Sequence, residues 1–425
     1  MAESYSKIGF KQQVEKNYKT NFYANVFDGS FFAFGKGFVS LSTILPLFVH
    51  QLTSSKFLVS MITAILMFAS NLPQLFSARI IEGLEHKKKA VLLLGLLQRL
   101  PWLLLAILTY LLPHSQWLLV IFFFCWGLYS LGSGLVVPAW FDLLSKVIPV
   151  ERRGKFFGYR TTLSSILKLI AASIAGYIIS YFNFPFNFTI LFSLMFISTM
   201  ISYICLTLIK EPDYPIANES KSFVDYFKNL PKLITKNINF RNYLLSVFLI
   251  QFIGMAKGLF TVAGIERLAL EGETASQVVG IFTVLLIASQ TVTNILWGHI
   301  SDKYGHKIVI LFAAIFNATG VLIALFANNV IAFYLVFIFT GIALGGNRVS
   351  FMTIIPEFCS AEERPTYIGI TNTIKGITMT CVSMLGGLLV DLLNYKVVFG
   401  ITFIMISLGS LILFYQVQDP RFEIE

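Results

Sequence analysis

Twelve apolar segments, each long enough to cross a bilayer as a helix, constrain this chain more than any other feature. They fall at 26–49, 57–80, 91–112, 116–140, 156–181, 186–209, 242–265, 276–298, 308–327, 330–353, 366–392 and 397–417. Only 13% of the residues are charged and 56% are hydrophobic, with 42 Phe, whereas soluble domains carry roughly 25% charged residues. The pattern predicts an all-α, multi-pass membrane protein. Residues 1–20 are polar and carry Lys7, Lys11, Lys16 and Lys19, and the apolar run that follows is too long for the core of a cleavable signal, so none is expected.

Positive charge orients the spans. With both termini in the cytoplasm, the cytoplasmic segments hold 23 of the 32 Lys and Arg, and the outer loops hold only Lys56, Arg267 and Lys396. Basic loops against lipid headgroups account for the net charge of +10 without nucleic acid. Cys125, Cys205 and Cys381 lie within spans and Cys359 in a loop, so no disulfide framework is expected. The five His stand in loops or at span ends without metal-ligand spacing. No Ser-His-Asp set or carboxylate pair indicates an enzyme, and no cofactor or metal is expected.

The chain divides into halves. Residues 210–240 interrupt the apolar pattern with Pro212, Pro215, Pro231 and mixed charge, which suits a cytoplasmic linker with an amphipathic helix. Six spans precede it in 1–209 and six follow in 241–425. At an offset of 221, FAFGKGF (32–38) aligns with IGMAKGL (253–259), placing Lys36 on Lys257. At 211, PVERRGKFFG (149–158) aligns with SAEERPTYIG (360–369). These matches keep chain order and span position, as an internal duplication requires.

GHISDKYGHK, 298–307, resembles the signature loop of the major facilitator superfamily, G-x-x-x-D-x-x-G-[RH]-[RK]. PVERRGKFFGYR after span four is similar to that superfamily's second cytoplasmic loop. In the first half SARIIEGLEHKKK keeps the basic cluster without the leading Gly and Asp, and Glu82 and Glu85 are the candidate replacements. The resemblance implies two pseudo-symmetric six-helix bundles with a substrate site at mid-depth between them. It implies that spans 1, 4, 7 and 10 line the cavity and that 3, 6, 9 and 12 face lipid. It also implies a gate at Gly298, Asp302 and Lys307, with Asp142 and Arg160 at the same rim. Asp302 is expected to meet a helix N-terminus or a basic rim residue.

Charges inside the spans carry the functional reading. A charge at the bilayer centre costs at least roughly 2.5–3.5 kcal/mol unless it meets water or a partner. Asp28 and Lys36 lie in span one, Lys168 in five, Lys257 in seven, Arg348 in ten and Lys375 in eleven; Arg99, in span three, is assigned no role. At about 1.5 Å per residue, Lys36 and Lys257 reach matching midplane depths, too deep for easy snorkelling. The glycines flanking Lys36 either leave room for a ligand or let helices pack. Candidate substrate-binding residues are therefore Lys36, Lys257, Lys375, Lys168, Arg348, Gln251 and Asn347, with Asp28 as candidate proton carrier.

An unpaired basic cavity repels cations and concentrates anions, which predicts an alternating-access transporter for a small organic anion, coupled to a proton or counter-anion and acting as a monomer. Organophosphate/phosphate antiporters resemble this chain in one respect, a basic pair on spans one and seven; here Lys replaces the bidentate Arg fork. Proton-coupled drug efflux is one alternative, but CWGLYSLGSGLVVP in span four lacks the Arg, and SSILKLIAASIAGYI in span five lacks the Pro, of drug antiporters. A flippase for an anionic or glycosylated lipid is the other.

Overall fold

The computed structural model describes residues 2–82, 86–212, 237–359 and 363–419. The amphipathic helix expected in the linker lies outside the described residues over 213–236, as does Glu85; the side chain of Glu82 is likewise not described. The described chain is helical, with ten stretches long and apolar enough to cross a membrane.

In the first half the helices are α1 (Ala2–Phe38), α2 (Ile44–Leu52), α3 (Lys56–Glu82), α4 (Lys87–Leu97), α5 (Leu100–Leu111), α6 (Trp117–Val147), α7 (Arg153–Tyr181) and α8 (Phe186–Thr207). The second half holds α9 (Ile238–Ile250), α10 (Ile253–Lys257), α11 (Phe260–Arg267), α12 (Gly272–Tyr304), α13 (His306–Phe326), α14 (Val330–Ser350), α15 (Arg364–Leu392) and α16 (Tyr395–Tyr415). Expected spans one, three and seven are each broken. Span three breaks at Gln98–Arg99, where Pro101 has no N–H to continue the ladder and bonding tightens to Arg99 N–H→Leu96 O (3.0 Å).

Two compact units emerge. One takes the described residues of 1–39, 69–178 and 184–220; the other takes those of 40–68, 179–183 and 221–425. The same helix pairs recur inside each half: α1 packs on α8 as α9 packs on α16, α5 on α8 as α13 on α16, and α4 on α6 as α13 on α14. The ends of these pairs are tied identically. The Asn21 amide donates to Lys210 O (3.0 Å) and accepts from Lys210 N–H (2.8 Å). The Asn239 amide donates to Gln418 O (3.1 Å) and accepts from Gln418 N–H (2.8 Å). Each clasp is followed by an acid. Glu211 caps α4, accepting from Lys87 N–H (2.9 Å) and Lys88 N–H (2.8 Å), and pairs with Lys146 (3.1 Å). Asp419 lies against Gly305 at the start of α13, where φ is +94° and a Cβ would strike its carboxylate.

Candidate functional site

Lys36 stands in the last turn of α1, and the chain then leaves the helix through a turn closed by Leu45 N–H→Ser40 O (3.1 Å) before α2 begins. Lys257 ends α10, and span seven tightens on both sides of it: Met255 N–H→Phe252 O is 2.9 Å and Leu259 N–H→Ala256 O is 2.9 Å. Both lysines thus stand at the break in a discontinuous span. The glycines around Lys36 serve packing. A Cβ at Gly35 would lie 2.8 Å from Met195 Sδ, and one at Gly37 would lie 2.5 Å from Ala171 Cβ and 2.7 Å from Lys168 O. Gly258 is different, since its Cβ would meet only Thr63 Oγ1, at 3.4 Å.

Lys36 is exposed, with its ammonium 4.7 Å from the centre of the Phe32 ring. Lys257 and Lys375 are half-buried, and Lys375 lies 4.2 Å from the Phe351 ring. Arg348 is exposed and Asn347 half-buried on α14; Gln251 is buried at the start of the break in span seven. Among the described residues, Lys36, Lys257, Lys375 and Arg348 make no ion pair. Lys168 is half-buried on α7.

Asp28 has a different environment. Its Oδ1 accepts from Ser202 Oγ (2.7 Å) and its Oδ2 from Arg160 Nη2 (3.3 Å). Ser202 in turn accepts from Arg99 Nη2 (3.0 Å), while Arg99 Nε and Nη1 donate to Thr199 O and Gly95 O (both 2.7 Å). Arg99 is 1% exposed. It sits in the span expected to face lipid, yet it points into the helix packing, where the break at 98–99 offers it a carbonyl. Arg160, expected at the rim, is the ion-pair partner of Asp28 and lies 4.3 Å over the Trp140 ring. Gly29 admits it, because a Cβ there would collide with the guanidinium. One signal for this network was legible: a charge in a lipid-facing span demands a buried partner.

Of the remaining gate residues, Asp142 pairs with Lys87 (3.2 Å). Gly298 is half-buried and Asp302 exposed near the C-terminal end of α12, and Lys307 donates to Phe414 O (3.2 Å). Sequence reasoning passed over a polar cluster at the opposite, charge-poor end of the spans, inside the second unit. There Asp391 caps α3, accepting from Lys56 N–H (2.8 Å), Phe57 N–H (2.9 Å) and Ser55 Oγ (3.0 Å). Lys56 pairs with Glu266, which also accepts from Tyr395 Oη (2.8 Å). Thr261 donates to Ser42 O and Thr283 to Thr43 Oγ1 (both 2.7 Å). Such a cap is worth about 1 kcal/mol, and losing it should favour detachment of 40–68 roughly fivefold. Thr43→Cys, at a position with no exposure, should therefore label faster with an impermeant maleimide when Asp391 is also changed to Asn, in a background without the four native cysteines. Unchanged labelling rates would exclude Asp391 as a latch.

A sequence profile for the Major Facilitator Superfamily matches residues 29–293 and 268–423. The chain belongs to that superfamily. Vacuolar basic amino acid transporter 1 of Saccharomyces cerevisiae is 28% identical to this superfamily member over 181 residues, 43% of this chain and 32% of that protein. Citrate exporter 1 of Yarrowia lipolytica is 24% identical over 135 residues, 32% of this chain and 20% of the exporter. Tetracycline resistance protein class H of Pasteurella multocida is 28% identical over 113 residues, 27% of this chain and 28% of that protein. The matches thus span about a third or less of each relative. Among solved structures, a variant of the nucleoside transporter NupG gives a TM-score of 0.70 at 13% identity, covering 94% of this chain and 100% of that one. A D-xylose-proton symporter also gives 0.70 at 13%, covering 95% and 98%. At these identities the likeness shows the Major Facilitator Superfamily fold and no more.

Proposed function

We propose that this chain is a secondary transporter that moves a small organic anion by alternating access. The carrying observation is the imbalance of charge within the spans. Asp28, the one acid well inside a span core, is shared by Arg160 and, through Ser202, by Arg99. Lys36, Lys257, Lys375 and Arg348 are left without an acid among the described residues. Cations held in this way attract anions and repel cations. In this reading Lys36 and Lys257 each contact substrate during the cycle, and Lys168, Arg348, Gln251 and Asn347 orient it. The basic ends of the spans face the cytoplasm, and Asp302 and Lys307 gate that side.

Asp28 is the proposed proton carrier. In this reading protonation of Asp28 releases Arg160 from its ion pair, which links the proton to movement of that side chain. Efflux of cationic drugs fits less well, because it needs an acid free to meet the cation. The flippase alternative has one observation in its favour, a groove of about 520 Å³ in the first unit with Val26, Leu163 and Ile166 along it and Lys155 among its lining residues.

Exchange in proteoliposomes tests the reading. Vesicles loaded with a mixture of organic anions should take up labelled anions from the same panel and leave organic cations outside. Uptake of cations in place of anions would overturn it, and scrambling of a labelled anionic lipid without anion exchange would favour the flippase.

A further inference from the structure

Helices α1 and α7 meet inside the first unit, and their contacts keep chain order, so they run parallel from the basic ends of the spans. They approach closely at Gly37, where a Cβ would lie 2.5 Å from Ala171 Cβ and 2.7 Å from Lys168 O. Nearer the basic ends large side chains hold them apart: the Phe22 ring lies 5.8 Å from that of Phe156 and 6.0 Å from that of Tyr159. The groove of about 520 Å³ lies along this seam, a volume in the range of ligand sites. It is open, since Tyr159 and Ile166 are exposed and a Cβ at Gly158 would meet nothing within 4 Å.

The lining changes character along its length. Lys155 stands in the first turn of α7, with Tyr159 and Thr162 about 6 and 10 Å further in, and Leu163, Ile166 and Val26 supply the apolar wall. Lys19 lies seven residues before Val26, on the same stripe of α1, and three before Phe22, which sets it level with Lys155. Both lysines are exposed, and neither makes an ion pair among the described residues, although Glu151 stands four residues before Lys155. The Lys155 ammonium lies 6.0 Å from the centre of the Tyr159 ring. Arginines nearby do have acids: Arg152 pairs with Glu15 and Arg160 with Asp28.

We infer that this groove binds one phospholipid with a net negative headgroup, its phosphate at Lys155 and Lys19 and an acyl chain along Leu163, Ile166 and Val26. The sequence of cation, aromatic and hydroxyl, and apolar wall matches that of phosphate, glycerol ester and acyl chain. Tyr favours the membrane interface, and basic side chains there attract anionic lipid. A small hydrophilic anion would gain nothing from the apolar wall, and a zwitterionic headgroup brings its own cation against the lysines. The lipid is held and not carried, so this site stands apart from both the anion reading and the flippase alternative.

Native mass spectrometry of the purified full chain, with equimolar phosphatidylglycerol and phosphatidylcholine of identical chains, tests the assignment. Each Lys beside an anionic headgroup gives about a fivefold preference, so the first lipid retained should be phosphatidylglycerol by about twentyfold. Lys19→Gln/Lys155→Gln should bring the two lipids to near equality, whereas Lys89→Gln/Lys303→Gln, at exposed lysines outside the groove, should keep the preference. Ile166→Asn, at an exposed position, should lower retention of both lipids, and glycerol 3-phosphate should displace neither. Equal retention by the parent, a preference that survives Lys19→Gln/Lys155→Gln, or displacement by glycerol 3-phosphate overturns the site. Scrambling of labelled phosphatidylglycerol in proteoliposomes that is lost in Lys19→Gln/Lys155→Gln overturns static binding in favour of a flippase. Failure of anion exchange overturns the transport reading and not this site.

Discussion

Proteoliposomes carrying Lys36→Met or Lys257→Met are expected to exchange organic anions at about a tenth of the parental rate or less, and the double variant not measurably. Each ammonium stands at the break of a discontinuous span, at matching positions of the duplicated halves, without an acid among the described residues. Removing a charge-assisted hydrogen bond from such an environment costs roughly 1.5–3 kcal/mol, a factor of ten or more in rate if the bond is made in the transition between states. Stability should move little or rise. Met fills most of the volume of the Lys stem, and the change breaks no ion pair among the described residues. The readouts are initial exchange rates beside unfolding midpoints. Parental exchange by the double variant would remove both lysines from the substrate path.

Asp28→Asn should show the opposite division, with a large loss of stability and a selective loss of coupling. The carboxylate is 5% exposed and is the common counter-ion of Arg160 and, through Ser202, of the fully buried Arg99. Breaking a buried pair by removing one partner costs about 3–5 kcal/mol, because the remaining charge is stranded. Asn preserves the shape and can still accept from Ser202, so the loss reports charge and not packing. A second change, Arg160→Gln, should restore part of the midpoint by removing the less buried of the two cations that lose the carboxylate, whereas Arg160→Gln alone should leave the Asp28–Ser202–Arg99 chain intact. On the transport side, Asp28→Asn should retain anion exchange per folded molecule and lose accumulation driven by a pH gradient. Undiminished stability would mean that Arg99 and Arg160 are satisfied without the carboxylate, and undiminished pH-driven accumulation would place the proton elsewhere.

The two sets of charges differ in how far they could be read in advance. That Lys36 and Lys257 stand at equal depth follows from chain position alone, since rise per residue is constant in a helix and the duplication aligns them. The break after each lysine was not legible. Span seven carries no Pro near 251–259, and its tightening depends on Ser383, far along the chain, receiving the freed carbonyl. The break in span three is the contrary case, because Pro101 announces it.

By itself the sequence determined a helical membrane protein, its twofold repetition and which spans hold charge, because each of these rests on local quantities: apolar length, the cost of charge in hydrocarbon and spacing along a helix. Tertiary structure alone decided which charges neutralise one another. Asp28 lies 132 residues from Arg160 and 174 from Ser202, and its nearer candidate Lys36 points elsewhere, because the helix places them on different faces and only the packing of α7 and α8 against α1 selects among distant donors. Structure alone also put residues 40–68 with the second unit, through Asp391, Glu266 and Thr283. Contacts of that kind depend on how helices from opposite ends of the chain meet, and no periodicity or composition along a single segment encodes that meeting.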